Sequence, residues 1–228
     1  MAENILYISV DRPLVIVANH PLGILDGLIL GYLLAKRRVD FWILANSVFQ
    51  DVPDIDCFTL LISFDTTKAA VKLNLETCAK APEYLRAGGA IGVFSGGTVS
   101  TASKPFLRPL DPGWGRFTAC LIAKSNTTVV PIFFDGQNSK LFQVVSHIHY
   151  NLRVTHLLKE FRNRADKLVK GAIRAPILPS MIAHFLDDPQ LMMDFLRSET
   201  HRLSPDSIAH TTLGFDFEKR YKAKSWRC

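Results

Sequence analysis

A histidine and an aspartate interrupt an otherwise apolar stretch near the N-terminus. In VIVANHPLGILDG, residues 15–27, the apolar run stops at Asn19-His20, and Asp26 is the next charged residue, with five residues between His20 and Asp26. A neutral imidazole can take a proton from a hydroxyl near pH 7, and a carboxylate bonded to its other ring nitrogen fixes the tautomer and stabilises the imidazolium. At this HX5D spacing, the two residue types can supply a general base, His20, and its orienting partner, Asp26.

The two side chains cannot meet on one face of a regular helix at this spacing. A loop must fold Asp26 back towards His20, and Pro21 and Gly23 permit such a loop. The residues also fit a purely structural interpretation. His20 would then be a capping residue, and Asp26 would be the N-cap of a helix that begins at Gly27.

A second stretch, GGAIGVFSGGTVS at residues 88–100, ends a predicted strand in a loop of small residues. Consecutive glycines let backbone N–H groups approach an anion or a developing oxyanion. Hydroxyls and basic side chains follow, although a simple polar turn also fits the pattern. Neither GxxxxGK[ST] nor GxGxxG is present. The candidate substrate-binding residues are Asn19, Gly96, Gly97, Thr98, Ser100, Lys104 and Arg116.

Short apolar runs alternate with helical patterns along the chain. This alternation predicts an α/β fold with a mostly parallel central sheet flanked by helices, whose sites form at the carboxyl ends of strands. Asn19-His20 and Ser95-Gly96-Gly97 both follow such ends. The predicted strands are 14–18, 41–45, 60–64, 90–94, 129–134 and 167–173, and the predicted helices are 25–36, 66–87, 115–124, 138–163, 181–186 and 190–203.

The domain organisation follows from the same pattern. We predict one domain over residues 1–203 and a polar, basic C-terminal tail over residues 204–228. Pro131 within the strand at 129–134 indicates an edge strand or a bulge.

Composition and charge narrow the class of partner. The 228 residues are 48% hydrophobic and carry a net charge of +6, which favours an anionic partner. No nucleic-acid-binding pattern appears, so a membrane surface is a better candidate than DNA. Four cysteines without metal or CxxC spacing, and no signal-peptide pattern at MAEN, predict a cytoplasmic protein peripheral to the inner face of the cell membrane.

Three further features have ordinary structural explanations. The HxH at His147 and His149 has no carboxylate at ligand spacing, so we expect no metal site. The basic residues from Arg153 to Lys167 form a solvated face or a dock for lipid head groups or an acidic carrier. Met192, Met193 and their apolar neighbours belong to the core or to a membrane-facing helix. Trp114 is expected to pack internally or to form a wall of the substrate site.

Three blocks together resemble the glycerolipid acyltransferase superfamily. VIVANHPLGILDG is similar to its His-Asp block, with the five-residue spacing of the bacterial hemolysin-like and ornithine-lipid branch. GVFSGGTVS occupies the place of its Phe-Pro-x-Gly block, and TVVPIFFDGQNS, residues 128–139, is similar to its Val-Pro strand followed by Gly-x-Asn-Ser. The likeness covers about residues 5–175.

The resemblance implies an O-acyltransferase of lipid metabolism and phospholipid biosynthesis. His20 and Asp26 would be catalytic, Gly96 and Gly97 would hold the acceptor head group or the oxyanion, and Pro131 would shape the wall near the acyl chain. The acyl group would come from acyl carrier protein or coenzyme A as a thioester, with no cofactor, and would pass to a lysolipid hydroxyl.

Two departures bear on the substrate. Gly96 and Val99 stand where glycerol-phosphate acyltransferases have glutamate and arginine, and Ser95 replaces proline. A glycerol phosphate would therefore lack its usual polar contacts. The rival functions are a lipid or thioester hydrolase that uses the same histidine with water, and a non-catalytic membrane-lipid-binding protein.

Overall fold

The computed structural model describes residues 2–46, 57–63, 65, 67–104, 106–209 and 211–216. A 3₁₀ helix, Ala2–Tyr7, precedes the first strand. The strands are β1 (Leu14–Ala18), β2 (Phe41–Asn46), β3 (Thr59–Ile62), β4 (Ala90–Phe94), β5 (Thr128–Phe134) and β6 (Gly171–Ile173). The helices are α1 (Ile24–Ala35), α2 (Lys68–Arg86), α3 (Phe117–Ser125), α4 (Lys140–Ile148), α5 (Tyr150–Arg164), α6 (Pro179–Ile182) and α7 (Pro189–His201), with a 3₁₀ turn at Ala183–Phe185.

The strands form one sheet in the order β3-β2-β4-β1-β5-β6. Every neighbouring pair from β3 to β5 is parallel, and β6 runs antiparallel to β5. This arrangement confirms the predicted α/β class with a mostly parallel sheet. The two central strands β4 and β1 end side by side, since Phe94 pairs with Ala18.

Both faces of the sheet are covered, which explains why β1 is a continuous apolar run. Val15 and Val17 belong to a core cluster on the face that α2, α3 and α7 cover. Met192 and Met193 of α7 are fully buried in the same cluster. Leu14, Ile16 and Ala18 point to the other face, which α1 and the N-terminal 3₁₀ helix cover. Met192 and Met193 are therefore core residues and not membrane contacts.

Pro131 lies in an interior strand, because β5 has β1 on one side and β6 on the other. The expectation of an edge strand is wrong, but the bulge is present. Ile132 pairs with Ile173, whereas Val129 bridges to Ile177, so the register against β5 shifts by one residue. Pro131 has no N–H to donate to a neighbouring strand, but its carbonyl oxygen still accepts from the main-chain N–H of Arg174 at 2.9 Å.

Most predicted elements differ from the observed ones by one or two residues at an end, and the helix predicted over 181–186 is a short helix at Pro179–Ile182 followed by the 3₁₀ turn at Ala183–Phe185. Two elements differ more. The helix predicted over 138–163 is two helices, because His149 adopts an extended conformation (φ −154°, ψ 139°) between α4 and α5. The last strand covers only Gly171–Ile173 of the predicted 167–173. Phe64, the predicted end of the third strand, lies outside the described residues.

Part of the predicted C-terminal tail, residues 204–228, contacts the preceding domain. Gly214 N donates to Asp111 O and Phe215 N donates to Thr101 O, both at 2.9 Å. The Arg197 guanidinium also donates to Thr212 O at 2.8 Å. The folded domain therefore continues past residue 203 to at least residue 216, and residues 217–228 lie outside the described part.

Among the described residues, none of the helices combines the length and apolar character that crossing a bilayer requires.

Candidate active site

The two motif loops meet at the carboxyl edge of the sheet. β1 runs into Asn19-His20, and its neighbour β4 runs into Ser95-Gly96-Gly97. Ser100 N donates to His20 O at 2.8 Å, which ties the second loop to the first. The sheet topology thus brings together two segments that the sequence places about 80 residues apart.

His20 and Asp26 face each other. His20 Nδ1 lies 3.2 Å from Asp26 Oδ2. The ring N–H is not well aligned on this oxygen. The imidazole side chain is 18% exposed and the carboxylate is fully buried, so the ring alone is accessible from outside. With Nδ1 turned to the acid, Nε2 is the nitrogen that is left to accept a proton.

Asp26 also caps α1. Its Oδ2 accepts hydrogen bonds from the N–H groups of Leu22 at 2.7 Å and Gly23 at 2.9 Å, and it is the third residue of the helix. An acid at this position that reaches back to the first orphan N–H groups is a common helix start. The catalytic and capping interpretations of the sequence therefore describe one carboxylate, although Asp26 caps from inside a helix that begins at Ile24.

Burial dominates the electrostatics of this carboxyl. Desolvation raises the pKa of Asp26 above its ordinary 3.8, against the contact with His20 and the two backbone N–H groups, which lower it. Its second oxygen, Oδ1, is buried without a hydrogen-bond partner. Burial thus disfavours the charged form of Asp26, while the contacts with His20 and the two backbone N–H groups favour it.

A glycine and an aromatic ring shape the space around His20. Gly23 has φ +74°, and a Cβ there would lie 2.6 Å from Leu157 Cδ1 on α5. The turn that returns Asp26 to His20 therefore requires glycine at this position. On its other side the imidazole stacks on Phe94, with ring centroids 4.1 Å apart.

The loop after β4 is a tight turn with internal hydrogen bonds. Gly97 has φ +69°, and its N–H donates to Phe94 O at 2.9 Å, so this N–H is already used. Among the described residues nothing accepts from the N–H groups of Gly96 and Thr98. The N–H groups of Gly96 and Thr98 are therefore available as donors, whereas that of Gly97 is not, and the predicted contact of this loop with a head group or an oxyanion stays a prediction.

Three predicted substrate-binding residues have structural partners. The amide of Asn19 donates to Phe134 O at 2.9 Å and accepts from Phe134 N at 2.7 Å, which ties the end of β1 to the end of β5. Thr98 Oγ1 accepts from Arg153 at 3.0 Å. The Ser100 hydroxyl donates to Asp111 Oδ1. Each of these groups positions the loops, and its contact with substrate stays a prediction.

The two basic candidates are at the surface. Lys104 and Arg116 are both exposed, and Arg116 immediately precedes α3. Gly115 N donates to Ser95 O at 3.0 Å, which brings the start of α3 next to the glycine loop.

Two charged residues at the site were not singled out from the sequence. Arg153 belongs to the basic residues predicted to form a solvated face or a dock for lipid head groups or an acidic carrier, but it is 5% exposed and donates to Thr98 Oγ1, Val99 O and Thr101 Oγ1. Asp111 is 1% exposed and accepts from the main-chain N–H of His20 at 3.2 Å. A lone acid in LDPGW carries no local signal, since its partner is 91 positions away.

Trp114 packs internally, at 1% exposure, with its Nε1–H donating to Asp111 Oδ2 at 3.1 Å.

His147 of the HxH contacts Ala102 O through Nε2 at 2.9 Å. Across the part of the chain that the structure describes, no three His, Cys, Asp or Glu side chains are grouped as metal ligands.

A cleft of about 330 Å³ opens beside the His20 backbone, between the ends of β1 and β5. Its walls include Asn19, Pro21, Asp111, Asp135 and His201. Burial lowers the pKa of His201 from 6.5 to about 4, so this imidazole is neutral at physiological pH.

The Acyltransferase family model matches residues 2–135, more than half of the chain, and the chain belongs to this family. The comparison of this chain with curated protein sequences found no match. This membership confirms the predicted glycerolipid acyltransferase superfamily and the predicted acyltransferase enzyme.

Among solved structures, the chain is similar to the 1-acyl-sn-glycerophosphate (LPA) acyltransferase PlsC from Thermotoga maritima. The TM-score is 0.52 at 17% identity, over 92% of this chain and 72% of that one. At this identity the likeness shows the shared fold.

Proposed function

We propose that this acyltransferase moves a fatty acyl group from an acyl thioester to the hydroxyl of a lysolipid, with His20 as general base. The 3.2 Å approach of His20 Nδ1 to buried Asp26, with the ring partly exposed, is the observation that carries the proposal. The structurally similar PlsC is named as an enzyme for 1-acyl-sn-glycerophosphate, and a monoacyl lipid acceptor is the corresponding substrate class here.

The steps follow from the geometry of the pair. Nε2 of His20 takes the proton from the acceptor hydroxyl while Asp26 stabilises the imidazolium that forms. The alcohol oxygen bonds to the thioester carbonyl carbon, and the oxyanion lies against the N–H of Gly96 or Thr98. When the carbon–sulfur bond breaks, the sulfur leaves as a thiolate and takes the proton back from His20.

The surface around the site supports a lipid substrate and an acidic donor. On α1, Leu28 and Tyr32 lie one turn apart and are 47% and 61% exposed, and Lys36 follows with its ammonium 5.2 Å from the Tyr32 ring centroid. An apolar stripe with a basic end suits a peripheral contact with an anionic membrane. Exposed Lys104 and Arg116 suit an anionic donor, either an acidic acyl carrier protein or coenzyme A with its phosphates.

The test is acyl transfer measured by mass spectrometry. Wild type and His20→Ala are incubated with acyl-carrier-protein and coenzyme A thioesters and a panel of lysolipids, presented with and without anionic vesicles. We expect diacyl product from wild type and a fall of about 10²–10⁴-fold in His20→Ala, the usual contribution of a general base. His184→Ala removes an exposed histidine at the end of the 3₁₀ turn and is the matched control, which keeps full activity.

Other outcomes identify the rival functions. Free fatty acid formed at the same rate with and without lysolipid would indicate a hydrolase. Lipid binding by both wild type and His20→Ala, with neither product nor fatty acid, would indicate a non-catalytic lipid-binding protein.

A further inference from the structure

Asp111 contacts the backbone of His20, whereas Asp26 contacts its ring. Its Oδ1 accepts from the His20 main-chain N–H at 3.2 Å and from the Ser100 hydroxyl, and its Oδ2 accepts from Trp114 Nε1 at 3.1 Å. All three donors converge on a carboxylate that is 1% exposed. Nothing in the proposed chemistry uses this group.

Ser100 completes a closed set of hydrogen bonds around the His20 backbone. Its N–H donates to His20 O at 2.8 Å while its hydroxyl donates to Asp111. Both main-chain polar groups of His20 are therefore held by two residues that also bind each other. We call Asp111 and Ser100 the His20 clamp.

The clamp is itself anchored from the far side. The carbonyl oxygen of Asp111 accepts from the Arg197 guanidinium at 3.1 Å and from Gly214 N at 2.9 Å. Arg197 belongs to α7 and Gly214 to the segment after it. Arg197 and Gly214 lie beyond the region that the family model matches. They bind the main chain of Asp111, whose carboxylate binds the His20 backbone.

We propose that Asp111 is a positioning residue that fixes the His20 backbone, so that the imidazole stays against Asp26 and over Phe94. The direction of the His20 Cα–Cβ bond follows from its main-chain position, and a shift of about 1 Å in a catalytic group can lower a rate by about 10²-fold. Asp111 acts through His20 alone. The inference rests on the proposed role of His20 as base.

Replacement by asparagine makes a specific prediction, because the amide has one acceptor where the carboxylate has two. If its oxygen faces His20 and Ser100, its NH₂ group faces the Trp114 N–H, donor against donor. If the amide turns, NH₂ faces the His20 N–H. We therefore expect Asp111→Asn to lower kcat about 10- to 100-fold with KM within about threefold of wild type, since misplacement of the base affects the transition state.

Trp114→Phe should rescue that variant. Without the indole N–H, the asparagine oxygen can face His20 and Ser100 and its NH₂ group faces only a ring. We expect Asp111→Asn/Trp114→Phe to recover most of the kcat of Trp114→Phe alone. Asp111→Ala has no acceptor, so Trp114→Phe should leave its low kcat unchanged.

The assay is the acyl-transfer assay above, with kcat and KM for each variant and a thermal melt to locate the unfolding transition. Met193→Ala opens the same core below Trp114 without touching the clamp, and it is the control for loss of stability alone. Ser100→Ala, which removes the hydroxyl but keeps the N–H to His20, provides a milder variant with a several-fold lower kcat, whether or not Asp111→Ala folds.

The outcomes separate the clamp from the proposed function. Asp111→Asn with kcat within threefold of wild type, an Asp111→Asn/Trp114→Phe variant no better than Asp111→Asn, or Met193→Ala with the same loss of kcat, would each overturn the positioning role. Full activity in His20→Ala would instead overturn the assignment of His20 as the base. The kcat of His20→Ala is measured in the same acyl-transfer assay.

Discussion

Asp26→Asn separates the electrostatic role of Asp26 from its geometric role. An asparagine oxygen in the place of Oδ2 can still accept from Leu22 N, Gly23 N and His20 Nδ1, so the turn and the tautomer can persist. The charge that stabilises the imidazolium is lost. At 3.2 Å and an effective dielectric constant of about 20, that attraction is on the order of 5 kcal/mol. Because the amide dipole keeps part of it, we expect kcat to fall about 10²–10⁴-fold.

The same substitution should stabilise the fold at neutral pH. Burial raises the pKa of Asp26, so the folded state binds this proton more tightly than the unfolded chain does. The wild type therefore loses stability as pH rises from 3.8 through the folded pKa, and the neutral amide removes that loss. We therefore expect a higher Tm for Asp26→Asn than for wild type at pH 7, with a difference that shrinks as the pH falls towards 3.8.

Melts of wild type and Asp26→Asn from pH 4 to 8, with kcat at pH 7, test both parts. Asp40→Asn is the matched control of opposite sign. The hydrogen bond from Arg38 lowers the pKa of Asp40, so its charge stabilises the fold above 3.8 and this variant should melt lower at neutral pH. An Asp26→Asn protein that keeps its activity would refute the electrostatic role. One that melts below wild type at pH 7 would refute the burial cost.

Two further predictions concern the backbone and the cleft. Gly23→Ala should lose about 1–3 kcal/mol in urea unfolding, because φ is +74° and Leu157 lies 2.6 Å from the new Cβ. Gly27→Ala, with nothing within 4 Å, should instead gain about 0.5–1 kcal/mol, and equal effects would contradict this account. His201→Gln should flatten the loss of wild-type stability between pH 6.5 and about 4, since the buried imidazole must be protonated on unfolding. If the free energy of unfolding of wild type and His201→Gln fell in parallel with pH, the assigned role of the buried imidazole would be wrong.

Sequence reasoning reached the parts of the site that are encoded locally. His20, Asp26 and Gly23 lie within seven residues, and the periodicity of β1 and α1 places them at a strand end and a helix start. The alternation of strands and helices was enough for the fold class. Both rest on short-range patterns that one stretch of chain contains.

The supporting residues depend on contacts between distant segments. Asp111 reaches His20 over 91 positions and Arg153 reaches Val99 over 54, and neither separation leaves a periodic or compositional trace. Arg153 looked like a surface charge because its helix is otherwise basic and polar. Only the crossing of α5 over the glycine loop buries it.

The double use of Asp26 explains why the acid stands inside a helix instead of at its N-cap. An N-cap side chain would hold the helix start but would leave the ring of His20 without a partner, whereas an acid at the third helical position reaches both. Full burial then makes the charge costly, and this cost is tolerable only because two N–H groups and the imidazole share one oxygen. If the carboxylate were there for the helix alone, a neutral acceptor would cap as well without the burial penalty. Asp26→Asn keeps an acceptor for the two N–H groups and removes the acid, so it is the substitution that separates capping from the proposed catalytic role.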